Sequence, residues 1–198
     1  NIKALSETIL QAQENVFQEI EALTEQSNYA VSSSQQRFWA LSQFQEANKA
    51  YTIPSIYTLT GDLDQTALAF AFQTITKRHE SFRTTFKEDE NQELRQFILP
   101  EAESNFEIDF VDFYNRSEKE LEETINNLIQ VVFNLSEGPL LKVSVLQVEE
   151  SKAILVAVMH HIISDGLSME VFIEELLHLY KARKNKLAVD FKPLRIQY

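Results

Sequence analysis

The run Ala153 to Met159 is almost unbroken apolar sequence with a high β-branched content, and it reads as a strand buried on both faces. An amphipathic stretch follows, with Met169, Phe172, Ile173, Leu176 and Leu179 or Tyr180 on one side, and its spacing predicts a helix. Between them lies Met159-His160-His161-Ile162-Ile163-Ser164-Asp165-Gly166-Leu167-Ser168. Two histidines, a carboxylate and a glycine therefore sit on a turn from a strand end to a helix start, where a rigid scaffold aims a short loop.

Period-two geometry separates the histidines. His161 shares a face with Met159 and Ala157, and His160 shares the other with Val158 and Val156. One imidazole can then face a site while the other packs inside. A neutral imidazole serves as a base near physiological pH, its reference pKa being about 6.5. Asp165, if buried, needs an arginine, a lysine or several N–H donors. Gly166 suits a turn with positive φ or a close backbone approach. On spacing alone, one core histidine, one surface histidine and an ordinary Asp-Gly turn explain the string equally well. Zinc is not expected, because adjacent strand histidines diverge and a working site needs three convergent ligands.

At 198 residues the chain fits one domain with one sizeable core and a short extension. Its formal charge of −12 argues against a nucleic-acid partner, and the short basic patch Lys181 to Lys186 reads as a solvated helix end. The acidity fits a soluble cytoplasmic protein. There is no cysteine, so disulfides and thiolate metal sites are excluded. The longest apolar runs have strand length, so no membrane span is expected, and no signal-peptide pattern opens the chain.

Residues 1–27 read as a polar, acidic helix, an interdomain linker or a docking helix for an upstream partner. Gln35 to Phe44 reads as a short helix and Tyr51 to Leu59 as a strand. Asp64 is the expected N-cap of a helix from Gln65 to Arg78. Phe82 to Phe86 reads as a short strand. Leu94 to Leu99 and Phe106 to Val111 alternate as strands and are expected to pair. Ser117-x-x-Glu120 forms a capping box for a helix reaching about Phe133, with Leu121, Ile125, Leu128 and Val132 inward. Leu140 to Val148 is a strand joined to the next by the polar turn Glu149 to Lys152. The closing helix runs to about Lys184.

The string around His161 resembles the His-His-x-x-x-Asp-Gly signature of the condensation domains of nonribosomal peptide synthetases. Two upstream stretches resemble further motifs of that family in the same order: Ser32-x-x-Gln35-x-Arg37-Phe38-Trp39-x-Leu41, and Arg78-His79-Glu80-x-Phe82-Arg83-Thr84-x-Phe86. The departures are Phe82 in place of leucine and Leu167 where tryptophan is frequent.

The resemblance implies an α/β fold: a two-layer sandwich of a mixed β-sheet with helices, chloramphenicol acetyltransferase-like, as one lobe of a two-lobe domain. Residues 28–198 are then the N-terminal lobe, with the C-terminal lobe absent. It implies amide-bond formation between a carrier-bound acyl or peptidyl thioester and a carrier-bound aminoacyl amine, with no directly bound cofactor beyond the 4'-phosphopantetheine arms of partner carriers. The implied partners are upstream and downstream carrier domains, an adenylation domain and the missing lobe. His161 is the expected catalytic group. His160, Asp165 and Gly166 would shape the loop, Asp165 through an ion pair with Arg83 or with an arginine of the missing lobe, and Gly166 by offering its N–H to the thioester oxygen. Arg83, Arg78, Gln35 and Arg37 would be structural. Arg78-His79-Glu80 and Met159 lean towards the subtype joining two L-residues. The alternatives are an epimerisation domain, another His-x-x-x-Asp acyltransferase and a non-catalytic docking module.

Overall fold

The computed structural model describes Ile2 and residues 20–198. Most of the stretch expected as a linker or docking helix lies outside the described residues. Residues 20–26 are not helical, and Ile20 and Leu23 are exposed, so nothing there buries an apolar face that would hold a helix.

After the short strand β1 (Tyr29–Ala30) comes helix α1 (Ser33–Ser42). It is closed by a reciprocal box: Ser32 Oγ accepts from the Gln35 amide at 3.2 Å, and Gln35 Oε1 accepts from the Ser32 amide at 2.8 Å. The helix thus begins two residues before the expected start at Gln35. A second short helix, α2 (Gln45–Ala50), precedes strand β2 (Thr52–Thr60). Helix α3 (Gln65–Arg78) has the predicted bounds, with Asp64 accepting from the Ala67 amide at 2.8 Å. A 3₁₀ turn (Glu80–Arg83) and strand β3 (Thr84–Glu88) follow, so Arg83 ends a turn rather than lying within the predicted strand. Strands β4 (Leu94–Ile98) and β5 (Ile108–Asp112), helix α4 (Glu118–Ile129), strands β6 (Leu141–Glu149) and β7 (Lys152–His160) and helix α5 (Gly166–Lys184) complete the chain.

Two sheets result: an antiparallel one ordered β1-β4-β3, and a mixed one ordered β2-β7-β6-β5 in which only β5 and β6 run parallel. The expected pairing of β4 with β5 is not formed. β4 folds back on β3 across a turn in which Asp89 Oδ1 accepts from the Asn91 and Glu93 amides. β5 instead crosses over through α4 to lie parallel to β6, a connection of the length that parallel strands require.

Helix α4 stops at Ile129, short of the expected Phe133. The amide of Asn48, buried between elements, accepts from Phe133 N–H at 3.0 Å and donates to Phe133 C=O at 2.9 Å. Both backbone groups are satisfied outside a helix, and Val132 turns to solvent instead of inward.

β7 lies in the interior of its sheet, every residue from Ala153 to His160 buried. Helices α3 and α5 pack on each other through Phe72 and Phe172, whose ring centroids lie 5.9 Å apart. Phe72, Ile75 and Leu179 are fully buried. Each such side chain is worth about 1.5–3 kcal/mol relative to exposure. This packing fixes the end of β7 against the start of α5, and so holds the histidine turn.

Candidate functional site

β7 ends at His160, and the next residue leaves the sheet. The His160 ring is fully buried and T-shaped against Phe133, centroids 6.1 Å apart. Its Nδ1 accepts from the Ile162 amide at 3.1 Å, so the neutral ring carries its proton on Nε2. Burial, assisted by the neighbouring His161, pushes its pKa down from 6.5 to about 4. The unfolded chain therefore binds a proton between about pH 6.5 and pH 4 that the folded chain does not. Folding stability falls as the pH drops through that window, by about 3 kcal/mol at 1.36 kcal/mol per unit. Thermal melts across this range should show the slope in the wild-type chain and lose it in His160→Gln; an equal slope in both would assign it elsewhere.

His161 is placed differently. Its amide donates to Tyr51 C=O at 2.8 Å, and its ring stacks on Phe38 of α1 at 5.0 Å and 23°. Nδ1 is buried without a partner among the described residues, which leaves Nε2 as the nitrogen the half-buried ring can present outward. The ring lines an open cavity of about 560 Å³. Phe38 and Gln35 of α1, His79 and Phe82 of the second motif, and Ser164, Asp165 and Leu167 share that wall. Three segments far apart in sequence thus meet at one imidazole.

Asp165 does not carry an ion pair among the described residues. It is the N-cap of α5, its Oδ1 accepting from the Ser168 amide at 2.8 Å and from the Ser168 hydroxyl at 2.6 Å. Those two bonds, with the nearby His161, hold its carboxyl below the usual 3.8. The side chain is exposed, so a local cap satisfies it without a cation. Asp165→Ala should accordingly cost about 1 kcal/mol, the price of a cap; loss of several kcal/mol in urea unfolding would restore the ion pair. Gly166 is likewise not in the positive-φ region. It is the first residue of α5, where ordinary helical φ applies.

Arg83 is bonded elsewhere and forms no ion pair with Asp165. Its guanidinium donates to the carbonyls of Thr76 (3.1 Å), Lys77 (3.4 Å) and Leu99, tying the end of α3 to the chain after β4. Arg78 Nε donates to Glu175 Oε1 at 3.1 Å, and its Nη1 donates to Lys192 C=O at 2.8 Å. His79 Nε2 meets the other oxygen of Glu175 at 2.6 Å. Arg37 is exposed, with its guanidinium 5.5 Å from the centre of the Phe38 ring.

Two residues, Ser164 in the cavity wall and Glu175 behind His79, are not singled out by the sequence reading. Glu175 follows Phe172 by three positions and precedes Leu179 by four, inside the buried stripe of α5, and a carboxylate there needs partners. Ser164 carries no such signal. Its burial follows from the turn's path alone.

The chain matches the family model described as Condensation domain over residues 25–198. It is 34% identical over 197 residues to surfactin synthase subunit 1 of Bacillus subtilis (strain 168), covering 100% of this chain and 5% of that protein. It is 36% identical over 197 residues to gramicidin S synthase 2 of Brevibacillus brevis, covering 100% of this chain and 4% of that protein. The chain thus spans a small part of either relative. Among solved structures it is similar to the X-domain from teicoplanin biosynthesis, with a TM-score of 0.79 at 26% identity, covering 91% of this chain and 38% of that one. The first condensation domain of the calcium-dependent antibiotic synthetase, solved with a substrate analogue, shares the fold with a TM-score of 0.76 at 21% identity, covering 84% of this chain and 40% of that one. The expected architecture, one lobe of the chloramphenicol acetyltransferase-like kind, agrees with this coverage.

Proposed function

This chain belongs to the condensation-domain family, and from that premise we propose that it forms amide bonds in nonribosomal peptide synthesis as part of a larger synthetase. The donor is an acyl or peptidyl thioester on one carrier's phosphopantetheine arm. The acceptor is the amine of an aminoacyl thioester on another. The observation that carries the proposal is the His161 ring, fixed by Phe38 and open to a cavity, while His160 is locked in the core.

The thioester is already activated, so the protein's tasks are to align two tethered substrates and to handle one proton. Alignment of that kind is worth up to about 7–11 kcal/mol. His161 Nε2 acts on the amine, as its base or as the partner that orients it. An α-ammonium lies only about 1–2 units above histidine in reference pKa, so transfer needs no large shift. His160 supports the turn from behind, Asp165 caps α5, and Gly166 presents its N–H near the thioester oxygen. Residues 28–198 form the N-terminal lobe of the domain, residues 1–27 lead into it, and the facing lobe supplies the far wall of the cavity. Carrier and adenylation domains are the partners, two L-residues the substrates, and the cytoplasm the setting.

A direct test uses the intact protein that carries this sequence, with carriers loaded with donor and acceptor and the acceptor carrier read by mass spectrometry. A new amide on the acceptor is expected. Exchange of the Cα proton in D₂O without an amide would instead identify an epimerisation domain. A second reading comes from the teicoplanin X-domain likeness, since that domain has been solved in complex with the protein OxyB. Partner binding with no chemistry under the same assay would favour a docking module.

A further inference from the structure

We propose that Ser164 is a second catalytic group of this site, its hydroxyl donating to the thioester oxygen as negative charge builds on it; the proposal rests on the condensation reading above. Among the described residues, the buried side-chain polar atoms without a hydrogen-bond partner are His160 Nε2, His161 Nδ1 and Ser164 Oγ. All three fall within the five residues 160–164. Elsewhere among the described residues buried side-chain polar groups are satisfied, as Asn48 and Gln35 illustrate. Orphaned buried groups gathered in one short stretch mark a place where something else completes the network.

The three atoms are not equivalent. The His160 ring is sealed against Phe133, whereas Ser164 is one of the residues lining the cavity beside His161, 9% exposed as a residue although its Oγ is itself covered. That hydroxyl gains its partner when a substrate seated on the wall draws it to another staggered rotamer. The backbone that carries it is fixed from both sides: the Ile163 amide donates to His160 C=O at 3.2 Å, and Asp165 is held by Ser168. The other polar side chains of the wall are largely committed, Gln35 to Ser32, Ser168 to Asp165 and His79 to Glu175. Among the described residues, no lysine or arginine lines the cavity. Negative charge arising there is met, from this chain, by neutral donors until His161 takes up its proton, and Ser164 is a buried donor still uncommitted.

The chemistry that needs such a donor is addition to a carbonyl. The acceptor nitrogen bonds to the thioester carbon, and the carbonyl electron pair moves onto oxygen, where the Ser164 O–H donates a hydrogen bond while keeping its proton. The adduct's ammonium proton passes to His161. The carbon–sulfur bond then breaks, and the departing phosphopantetheine thiolate takes that proton back. A prepositioned donor binds the charged adduct more tightly than the neutral thioester, which is what lowers a barrier.

The test uses single-turnover condensation by the intact protein, with Ser164→Ala and Ser164→Thr compared with wild type. Ser164→Ala should slow the chemical step by about 10²-fold, the usual effect of losing one such donor. The carrier concentration giving half-maximal rate should not change, and the melting temperature should equal or exceed that of wild type, because an unpaired hydroxyl has been removed. Ser164→Thr keeps the donor and should stay within about tenfold of wild type. A folded Ser164→Ala protein working at the wild-type rate overturns the proposal, as does a folded Ser164→Thr protein as slow as Ser164→Ala. Failure of the wild-type protein to form amide overturns the condensation reading itself, a result distinct from an active wild type with an equally active Ser164→Ala.

Discussion

His161→Ala in the intact protein should slow amide formation by about 10²–10⁴-fold, the range for a positioned acid–base group. It should do so without unfolding the lobe. The ring is half-buried and its side chain makes no hydrogen bond within the described residues, its Nδ1 having no partner. What alanine removes is the stack on Phe38, while the backbone bond to Tyr51 stays. The melting temperature should therefore fall modestly while product nearly disappears. Turnover within about tenfold of wild type would remove the imidazole from the chemistry and leave alignment, with any donor to the thioester oxygen, to carry the rate. His161→Gln refines the test. It retains a hydrogen-bonding group but cannot take up a proton at neutral pH, so recovery with Gln would favour orientation of the amine over proton transfer.

Glu175→Ala is expected to cost about 2–3 kcal/mol of folding stability, less than the about 3–5 kcal/mol of breaking a fully buried charged pair from one side, because this pair is only partly buried. The Glu175 side chain is 14% exposed and that of Arg78 16%, so water replaces only part of what is lost. One carboxylate oxygen holds Arg78 and the other His79, which joins the end of α3 and the second motif to the middle of α5. Arg78 would keep Lys192 C=O and the Phe191 ring, 4.8 Å from its guanidinium carbon, but no counter-charge among the described residues. Glu175→Gln, which retains an acceptor, should cost less. Urea unfolding of the isolated chain measures both. A loss under about 1 kcal/mol for Glu175→Ala would place this cluster with ordinary surface pairs. Because His79 also lines the cavity, loosening this joint should disturb the wall facing His161 as well as stability.

Features set by close neighbours along the chain were legible from residues alone. The reciprocal box of Ser117 and Glu120, the Asp64 cap and the bounds of α3, the buried run of β7 and the apolar stripe of α5 each depend on residues a few positions apart. Asp165 shows how such a signal can be overlooked. Asp165-Gly166-Leu167-Ser168 has the spacing of a local cap, yet a carboxylate beside histidines invites a search for a distant cation. Glu175 was readable in the same way, as a charge set among Phe172, Leu176 and Leu179.

Pairings between distant segments were not legible, for a definite reason. Alternation along β4 and β5 says which side of each strand is apolar, but nothing about which strand lies alongside. Nor does the pattern of α4 announce that Asn48, 85 residues before Phe133, takes that residue's backbone out of the helix. Period-two geometry led to the expectation that the imidazoles of His160 and His161 part company, and they do, although His161 lies just beyond the end of β7. Which of them was sealed in, and that Phe38, His79 and Ser164 would meet the other at one cavity, depended on how α1, α3 and α5 close around that strand, because burial is a property of packed neighbours rather than of position in a chain.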